Sequence, residues 1–243
     1  MAYRVTLPPI IGHRGAALVA PENTLAGLRA AAAAGARWVE VDAKLSADGV
    51  VVLMHDDTLD RTTNGSGLVA KQDYATLATL DAGSWFAPAF AGACIPTLQQ
   101  MFDTLAELGL GANIEIKPCP GRERETALAV ADLVLAHWPP ALPLPVLSSF
   151  ERASLAAALE RAPSIPRGYL ADALGPGWQQ DVAALGCASL HLGAQDIDAD
   201  VIAAAEAGGW PIAAWTVNDP SQAAALRAAG VAAIITDNPA ILV

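Results

Sequence analysis

The chain has 243 residues, 53% hydrophobic and only 5% aromatic, so a single domain can bury a large core built mainly from Ala, Leu, Val and Ile. Fourteen Lys and Arg against 25 Asp and Glu leave a formal charge of -11, which repels DNA, RNA and anionic membranes and makes nucleic acid a poor partner. Cys94, Cys119 and Cys187 show no C-x-x-C spacing and suit a reducing cytoplasm; with no apolar h-region after the first residues and no apolar run of about 18, neither a secretory signal nor membrane insertion is expected.

The predicted elements begin with a strand at 9–12. One phrase then recurs: an Ala/Leu-rich helix, a Gly stop and a short β-branched run. It appears as a helix ending at Gly35 with a strand at 38–41, then as one ending near Gly111 with a strand at 113–116. Strands at 146–147 and 167–170 follow. The phrase returns with strands at 189–192, 211–217 and 231–235, after helices stopped by Gly186, Gly209 and Gly230. Gly ends a helix because it enters the left-handed region without a Cβ clash. Helix and strand in alternation predict parallel strands with crossover helices. Eight such strands read best as a closed (β/α)8 TIM barrel, with an open doubly wound sheet second. Residues 56–96 break the rhythm, and roughly forty residues are too many for an ordinary connection, so they read as a functional insertion. Nothing else looks like a linker or a second domain; residues 1–243 read as one.

A (β/α)8 barrel places its chemistry where its strands end. Those ends supply His13-Arg14-Gly15, Glu40-Val41-Asp42, Glu115-Ile116-Lys117, Ser148-Ser149, Trp215 and Thr236-Asp237; the segment 50–54 runs into His55. Side chains two apart on a strand share a face, so Glu40 lies with Asp42 and Glu115 with Lys117. Three converging carboxylates repel each other unless a cation sits between them. Oxygen ligands suit one hard divalent cation, Mg2+ or Ca2+, rather than zinc. With that ion, Arg14 and Lys117 leave the site one net positive charge, the complement of a phosphodiester; without it the site is negative. His13 and His55 can serve as base and acid, both of which a phosphodiester needs. Trp215 reads either as barrel packing or, as an aromatic at a strand end, as a wall for an alcohol.

Plainer readings compete. Glu40 and Asp42 could be rim carboxylates paired with Arg14 and Lys117, and His13 a satisfied core histidine. His137 reads as a surface residue, and His191 as structural or substrate-lining. Pro21-Glu22-Asn23-Thr24 reads as a helix start capped by Asn23 or Thr24. Ser149 lacks the G-x-S-x-G setting of a nucleophile.

In order along the chain stand His13-Arg14-Gly15, Pro21-Glu22-Asn23-Thr24, Glu40-Val41-Asp42, Lys44-Leu45-Ser46-Ala47-Asp48-Gly49, His55-Asp56 and Leu59-Asp60-Arg61-Thr62. Asn113-Ile114-Glu115-Ile116-Lys117-Pro118, Leu147-Ser148-Ser149-Phe150, Trp215-Thr216-Val217-Asn218 and Ile235-Thr236-Asp237 continue the set. Together they resemble the signature of the glycerophosphodiester phosphodiesterase family, most of all its short bacterial cytosolic type, over nearly the whole chain. The resemblance implies a barrel with an insertion after His55, His13 and His55 as the acid/base pair, and Glu40, Asp42 and Glu115 as metal ligands. It implies Arg14 and Lys117 on the phosphate. Gln99 stands where the family commonly carries an acidic residue; the position should open a helix, with no loss of chemistry expected. Hydrolysis of glycerophosphodiesters to sn-glycerol 3-phosphate and an alcohol is the expected activity. Lysophospholipase-D-like chemistry, a barrel amidohydrolase and a non-catalytic glycerol-phosphate-binding barrel are the rivals. A first-strand His-x-His, usual in the amidohydrolases, is missing, since Arg14 and Gly15 follow His13. Neither the leaving alcohol nor the oligomeric state is readable from the sequence.

Overall fold

The computed structural model describes residues 5–241, leaving the first four residues of the expected signal-free start outside the described part. Eight parallel strands close into a barrel: β1 (Ile10–Gly12), β2 (Trp38–Leu45), β4 (Gly111–Ile116), β5 (Val146–Ser149), β6 (Arg167–Ala171), β7 (Ser189–Gly193), β8 (Ile212–Trp215) and β9 (Ala233–Thr236). Closure is made by β1, which pairs with β9 through Ile11 and Ile235 and with β2 through Ile11 and Trp38. The extra strand β3 (Val51–Leu53) lies antiparallel on the outer half of β2, with Leu45 opposite Val51. The expected strand at 38–41 is therefore twice as long, and the segment 50–54 is the return arm of a hairpin rather than part of the barrel.

The helices between the strands are α1 (Leu25–Ala33), α3 (Leu98–Leu108), α4 (Glu123–His137), α5 (Arg152–Arg161), α6 (Trp178–Ala184), α7 (Ala199–Gly208) and α8 (Pro220–Ala228). Their limits follow from local chemistry. Thr24 caps α1 by accepting from the Gly27 amide, and Thr97 and Gln100 form a reciprocal capping box at α3. Gln99 sits in the first turn of α3 and donates to Asp103 at 3.0 Å, so its departure from the family pattern is spent on the helix surface. Gly109 and Gly209 end α3 and α7 in the left-handed region.

Most of the apolar core lies between strands and helices, where Val39, Val41 and Ile114 meet Leu28, Phe102, Leu105 and Val130. A second apolar layer plugs the N-terminal end of the barrel: Ile11, Trp38, Val146, Ala213 and Ala233. Trp38 fits there because Gly111 faces it on β4; a Cβ at Gly111 would stand 2.3 Å from the indole nitrogen. Among the described residues this layer fills the end of the barrel opposite the strand C-termini. Residues 54–97 connect β3 to α3 and span the expected insertion at 56–96. They hold one short α-helix, α2 (Tyr74–Leu77), two single-turn 3-10 helices (Val69–Lys71 and Pro88–Phe90), and a small core in which Met54, Leu59, Val69, Leu77 and Ile95 pack with Val52 of β3. Among the described residues no helix is long and apolar enough to cross a membrane.

Candidate active site

β1 delivers His13 and Arg14 to the open rim, where the chain turns sharply. Arg14 adopts φ 49° and Asn23 φ 54°, both in the left-handed region that non-glycine residues seldom occupy. The turn is tied down: the Arg14 amide donates to Glu40 Oε2 at 3.0 Å, and the Asn23 amide donates to the Arg14 carbonyl at 3.0 Å. Asn23 then grips Asp42 twice. Its Nδ2 donates to Asp42 Oδ2 at 2.7 Å, and its Oδ1 accepts from the Asp42 amide at 3.0 Å. Thr24, and not Asn23, is the helix cap.

Glu40 and Asp42 project from one face of β2, and Asp42 stands in register with Glu115 on β4. All three are buried, and one oxygen of each lies within 4.8 Å of the others. Lys117 Nζ reaches Glu115 Oε1 at 2.8 Å and Asp42 Oδ1 at 3.7 Å; Arg14 Nε stands 3.5 Å from Asp42 Oδ2. The plainer reading of ion-paired rim carboxylates is therefore partly true, but two cations do not balance the cluster. Burial first, and then the charge of Asp42, push Glu40 up to about 7 and Glu115 up to about 8. Asp42 is held below the usual carboxylate range; burial alone would raise it, but Arg14 and Lys117 outweigh burial. An all-oxygen site with one firm anion and two carboxyls that resist ionising fits a hard divalent cation, which would let all three ionise together.

The two histidines flank this cluster. His13 Nδ1 is 2.6 Å from Asp237 Oδ1, and its Nε2 is 3.9 Å from Glu40 Oε2. Asp237 is itself held by Asn218 Nδ2 at 2.7 Å. His55 Nδ1 is 2.7 Å from Asp56 Oδ1. Each carboxylate fixes a proton on Nδ1 and leaves Nε2 for chemistry. His13 lies above its ordinary range, because the Asp237 hydrogen bond and the Glu40 charge together outweigh burial. His55 lies below its range, mainly through burial.

A cavity of about 280 Å³ sits inside the rim, lined by His13, Arg14, Glu40, Lys117, Leu170 and Trp215 among others. Asn113, Asp172 and Ile235 line it as well. A wider groove of about 650 Å³ adjoins it and shares His55, Glu115, Lys117 and Phe150 with it. Phe150 stacks edge-to-face on Trp215 at 5.7 Å and lies 5.5 Å from Lys117 Nζ. The geometry brings His13, Arg14, Glu40, His55, Glu115, Lys117 and Trp215 to one cavity, with Asp42 beneath them. His191 also lines it; it is fully buried, paired with Ser189 Oγ at 3.0 Å and pushed down to about 4 by burial, so it is neutral. His137 is exposed at the end of α4. Ser149 Oγ is committed to the Ile116 carbonyl at 2.6 Å and is no free nucleophile. From sequence, Asn23 reads only as a candidate helix cap, and Asp56, Asp237 and Phe150 carry no role at the site, although each stands in a motif already noted.

A pH effect follows. In the unfolded chain Glu40 and Glu115 ionise near 4.5; folded and without a cation they hold their protons to about 7 and about 8. The folded state then binds more protons than the unfolded one, so this pair costs stability increasingly as pH rises from about 4.5 through about 8. His13, raised, slopes the same way; His55, lowered, opposes it. A divalent cation bound by the three carboxylates would take the place of those protons. Mg2+ or Ca2+ is therefore expected to raise the melting temperature more at pH 8 than at pH 6, measured against EDTA-treated protein. Equal increments at the two pH values would contradict the raised carboxyls.

Fold and site together define a (β/α)8 barrel enzyme with a carboxylate cluster and paired histidines at its catalytic rim. The model of the glycerophosphoryl diester phosphodiesterase family matches residues 13–241, and the chain belongs to that family. A glycerophosphodiester phosphodiesterase of Caldanaerobacter subterraneus subsp. tengcongensis is 33% identical over 239 residues, 96% of each chain. Among solved structures, an Oleispira antarctica phosphodiesterase in complex with the product sn-glycerol-3-phosphate superposes with a TM-score of 0.94 at 41% identity, over 97% of this chain and 95% of that one. A glycerophosphodiester phosphodiesterase of Agrobacterium tumefaciens str. C58 follows at 0.81 and 30%, over 97% and 99%.

Proposed function

We propose that the chain hydrolyses glycerophosphodiesters to sn-glycerol 3-phosphate and an alcohol, with one divalent cation, Mg2+ or Ca2+, on Glu40, Asp42 and Glu115. The observation that carries this is the meeting of two carboxylate-held histidines and three buried carboxylates around one small cavity. The similar Oleispira protein holds sn-glycerol-3-phosphate, which agrees with that reading. The cation would neutralise charge on the phosphate and orient the glycerol hydroxyls. We also read residues 1–243 as one domain, with 56–96 as its insertion, working in the cytoplasm.

The two cavities suggest which end of the substrate goes where. The inner one is small and carries Trp215 beside Arg14 and Lys117, so it suits the glycerol end; the wider groove suits the leaving alcohol. His13 lines only the inner cavity, whereas His55 lines both. Arg14 and Lys117 would hold the non-bridging phosphate oxygens. In this placement His13 Nε2 takes the proton of the glycerol 2-hydroxyl, whose oxygen bonds to phosphorus. The bond from phosphorus to the alcohol oxygen breaks, and His55 protonates that oxygen. Water then opens the five-membered cyclic phosphate with the histidine roles exchanged. The intramolecular step carries the entropic advantage of a tethered nucleophile. In the cation-free chain the proton preferences run the other way, His13 raised and His55 lowered. We favour placement over preference: one cause of the raised His13 is the Glu40 charge, which a cation would offset.

The test is turnover of glycerophosphocholine followed by phosphorus NMR. The expected product is sn-glycerol 3-phosphate; phosphocholine would place the cut on the wrong side of phosphorus, and no product would favour a binding barrel. A substrate whose glycerol lacks only the 2-hydroxyl should bind but not turn over, and turnover near the normal rate would leave direct attack by water. A lysophospholipase-D-like reading requires room for an acyl chain on the glycerol. The small inner cavity, about 280 Å³ and lined by polar groups such as Arg14, Glu40, Asn113 and His191, disfavours it, and turnover of lysophosphatidylcholine at a comparable rate would restore it.

A further inference from the structure

Arg61 stands in the insertion and takes no part in the reaction proposed above. Its guanidinium is shared between two carboxylates. Nη1 and Nη2 donate to Glu22 Oε2 and Oε1 at 2.7 and 2.8 Å, while Nε and Nη2 donate to Asp56 Oδ2 and Oδ1 at 2.7 and 2.9 Å. Each carboxylate holds, on its other side, a group of the reaction centre. Glu22 Oε1 accepts from Arg14 Nη1 at 2.7 Å, and Asp56 Oδ1 pairs with His55 Nδ1 at 2.7 Å. A single chain of contacts thus runs from Arg14 through Glu22, Arg61 and Asp56 to His55, joining the barrel rim to the insertion.

An exposed arginine pair ordinarily contributes little. Here Arg61 is 44% exposed, but its partners are less so, Glu22 at 10% and Asp56 at 25%. Three nitrogens of one planar fork meet four carboxylate oxygens, a geometry that a lysine ammonium cannot reproduce. We infer that Arg61 is a positioning residue that sets Arg14 and His55 together, an inference that rests on their roles in the proposed reaction. Without it, Glu22 is free to take more of the Arg14 guanidinium and draw it from the phosphate. Asp56 is free to rotate, and the His55 ring loses its fixed plane. One side chain therefore controls both phosphate binding and protonation of the leaving group.

The experiment compares Arg61→Gln with the parent, full-length and with Mg2+ or Ca2+ present, on glycerophosphocholine and on a nitrophenyl glycerophosphodiester. The expected result is a fall in kcat of about 10–100-fold on the alkyl ester, the usual worth of an orienting contact, with much less loss on the aryl ester. KM should rise on both. Added guanidinium ion should restore part of the alkyl rate, and Arg61→Lys should not. An alkyl-to-aryl ratio within about twofold of the parent, whatever the melting temperature, overturns the inference. His55→Ala, run alongside, separates the two readings: if it leaves the ratio unchanged, the proposed reaction falls and this inference with it. If it moves the ratio and Arg61→Gln does not, only the role of Arg61 falls. Should Arg61→Gln fail to fold, Asp56→Asn is expected to move the ratio and Glu22→Gln the KM; no change in either overturns the inference.

Discussion

Alanine at His13 or at His55 is expected to lower turnover of an alkyl glycerophosphodiester by roughly 10²–10⁴, the usual worth of a positioned acid or base. Both rings are held through Nδ1, by Asp237 and Asp56, so each loss removes a fixed Nε2 rather than a mobile one. The two variants should part on a nitrophenyl leaving group, which departs without help from an acid. His55 borders the wider groove, so His55→Ala should regain much of its rate on the aryl ester and His13→Ala should not. Steady-state rates on the two esters decide it. Recovery by His13→Ala instead would exchange the roles, as the proton preferences of the cation-free chain suggest.

The second large effect is expected at Asp42. It is the carboxylate held below its usual range, its Oδ2 accepting from Asn23 Nδ2, its amide donating to Asn23 Oδ1, and Arg14 and Lys117 flanking it. Asp42→Asn keeps the shape and removes the anchoring charge. Cation binding, measured by calorimetry, and turnover should fall together, the latter by roughly 10²–10³, the scale of losing one preorganised electrostatic partner. Glu115→Gln should act in the same direction. Asp42 is also a cause of the raised Glu40 and Glu115, so in Asp42→Asn the pH dependence of cation-free stability should flatten. Unchanged cation affinity in both variants would move the ligands elsewhere.

The barrel was legible because most of its helices stop at or beside glycines, α4 and α5 excepted, and its strands follow as short apolar runs, a local signal repeated along the chain. The hairpin was not. Ala43-Lys44-Leu45 alternates like a strand with a solvent-facing lysine, yet Lys44 is 1% exposed and paired with Asp57 at 2.6 Å from the insertion. Such a burial depends on a partner that periodicity cannot see. The carboxylates and histidines stood out because strand ends are where a barrel gathers side chains, and spacing of two puts Glu40 with Asp42. The groups that orient them did not stand out. Asp237 meets His13 across 224 residues and Asn23 meets Asp42 across 19, distances in sequence that carry no local pattern. Asn23 also sat in a helix start that offered a sufficient ordinary explanation. Its left-handed backbone, which turns the amide toward Asp42, is visible only in three dimensions. Asp56 adjoins His55 in sequence, but neighbours on a chain seldom face one another, and nothing before the structure marked this pair as an exception.

Turnover of glycerophosphocholine by the wild-type chain after exhaustive removal of divalent cations tests the shared-cation site most directly. With Glu40, Asp42 and Glu115 holding one ion, sn-glycerol 3-phosphate release should stop after EDTA treatment and return when Mg2+ or Ca2+ is added back. Full activity in the chelated protein would contradict the cation site and leave the histidines and the Arg14 and Lys117 pair to act alone.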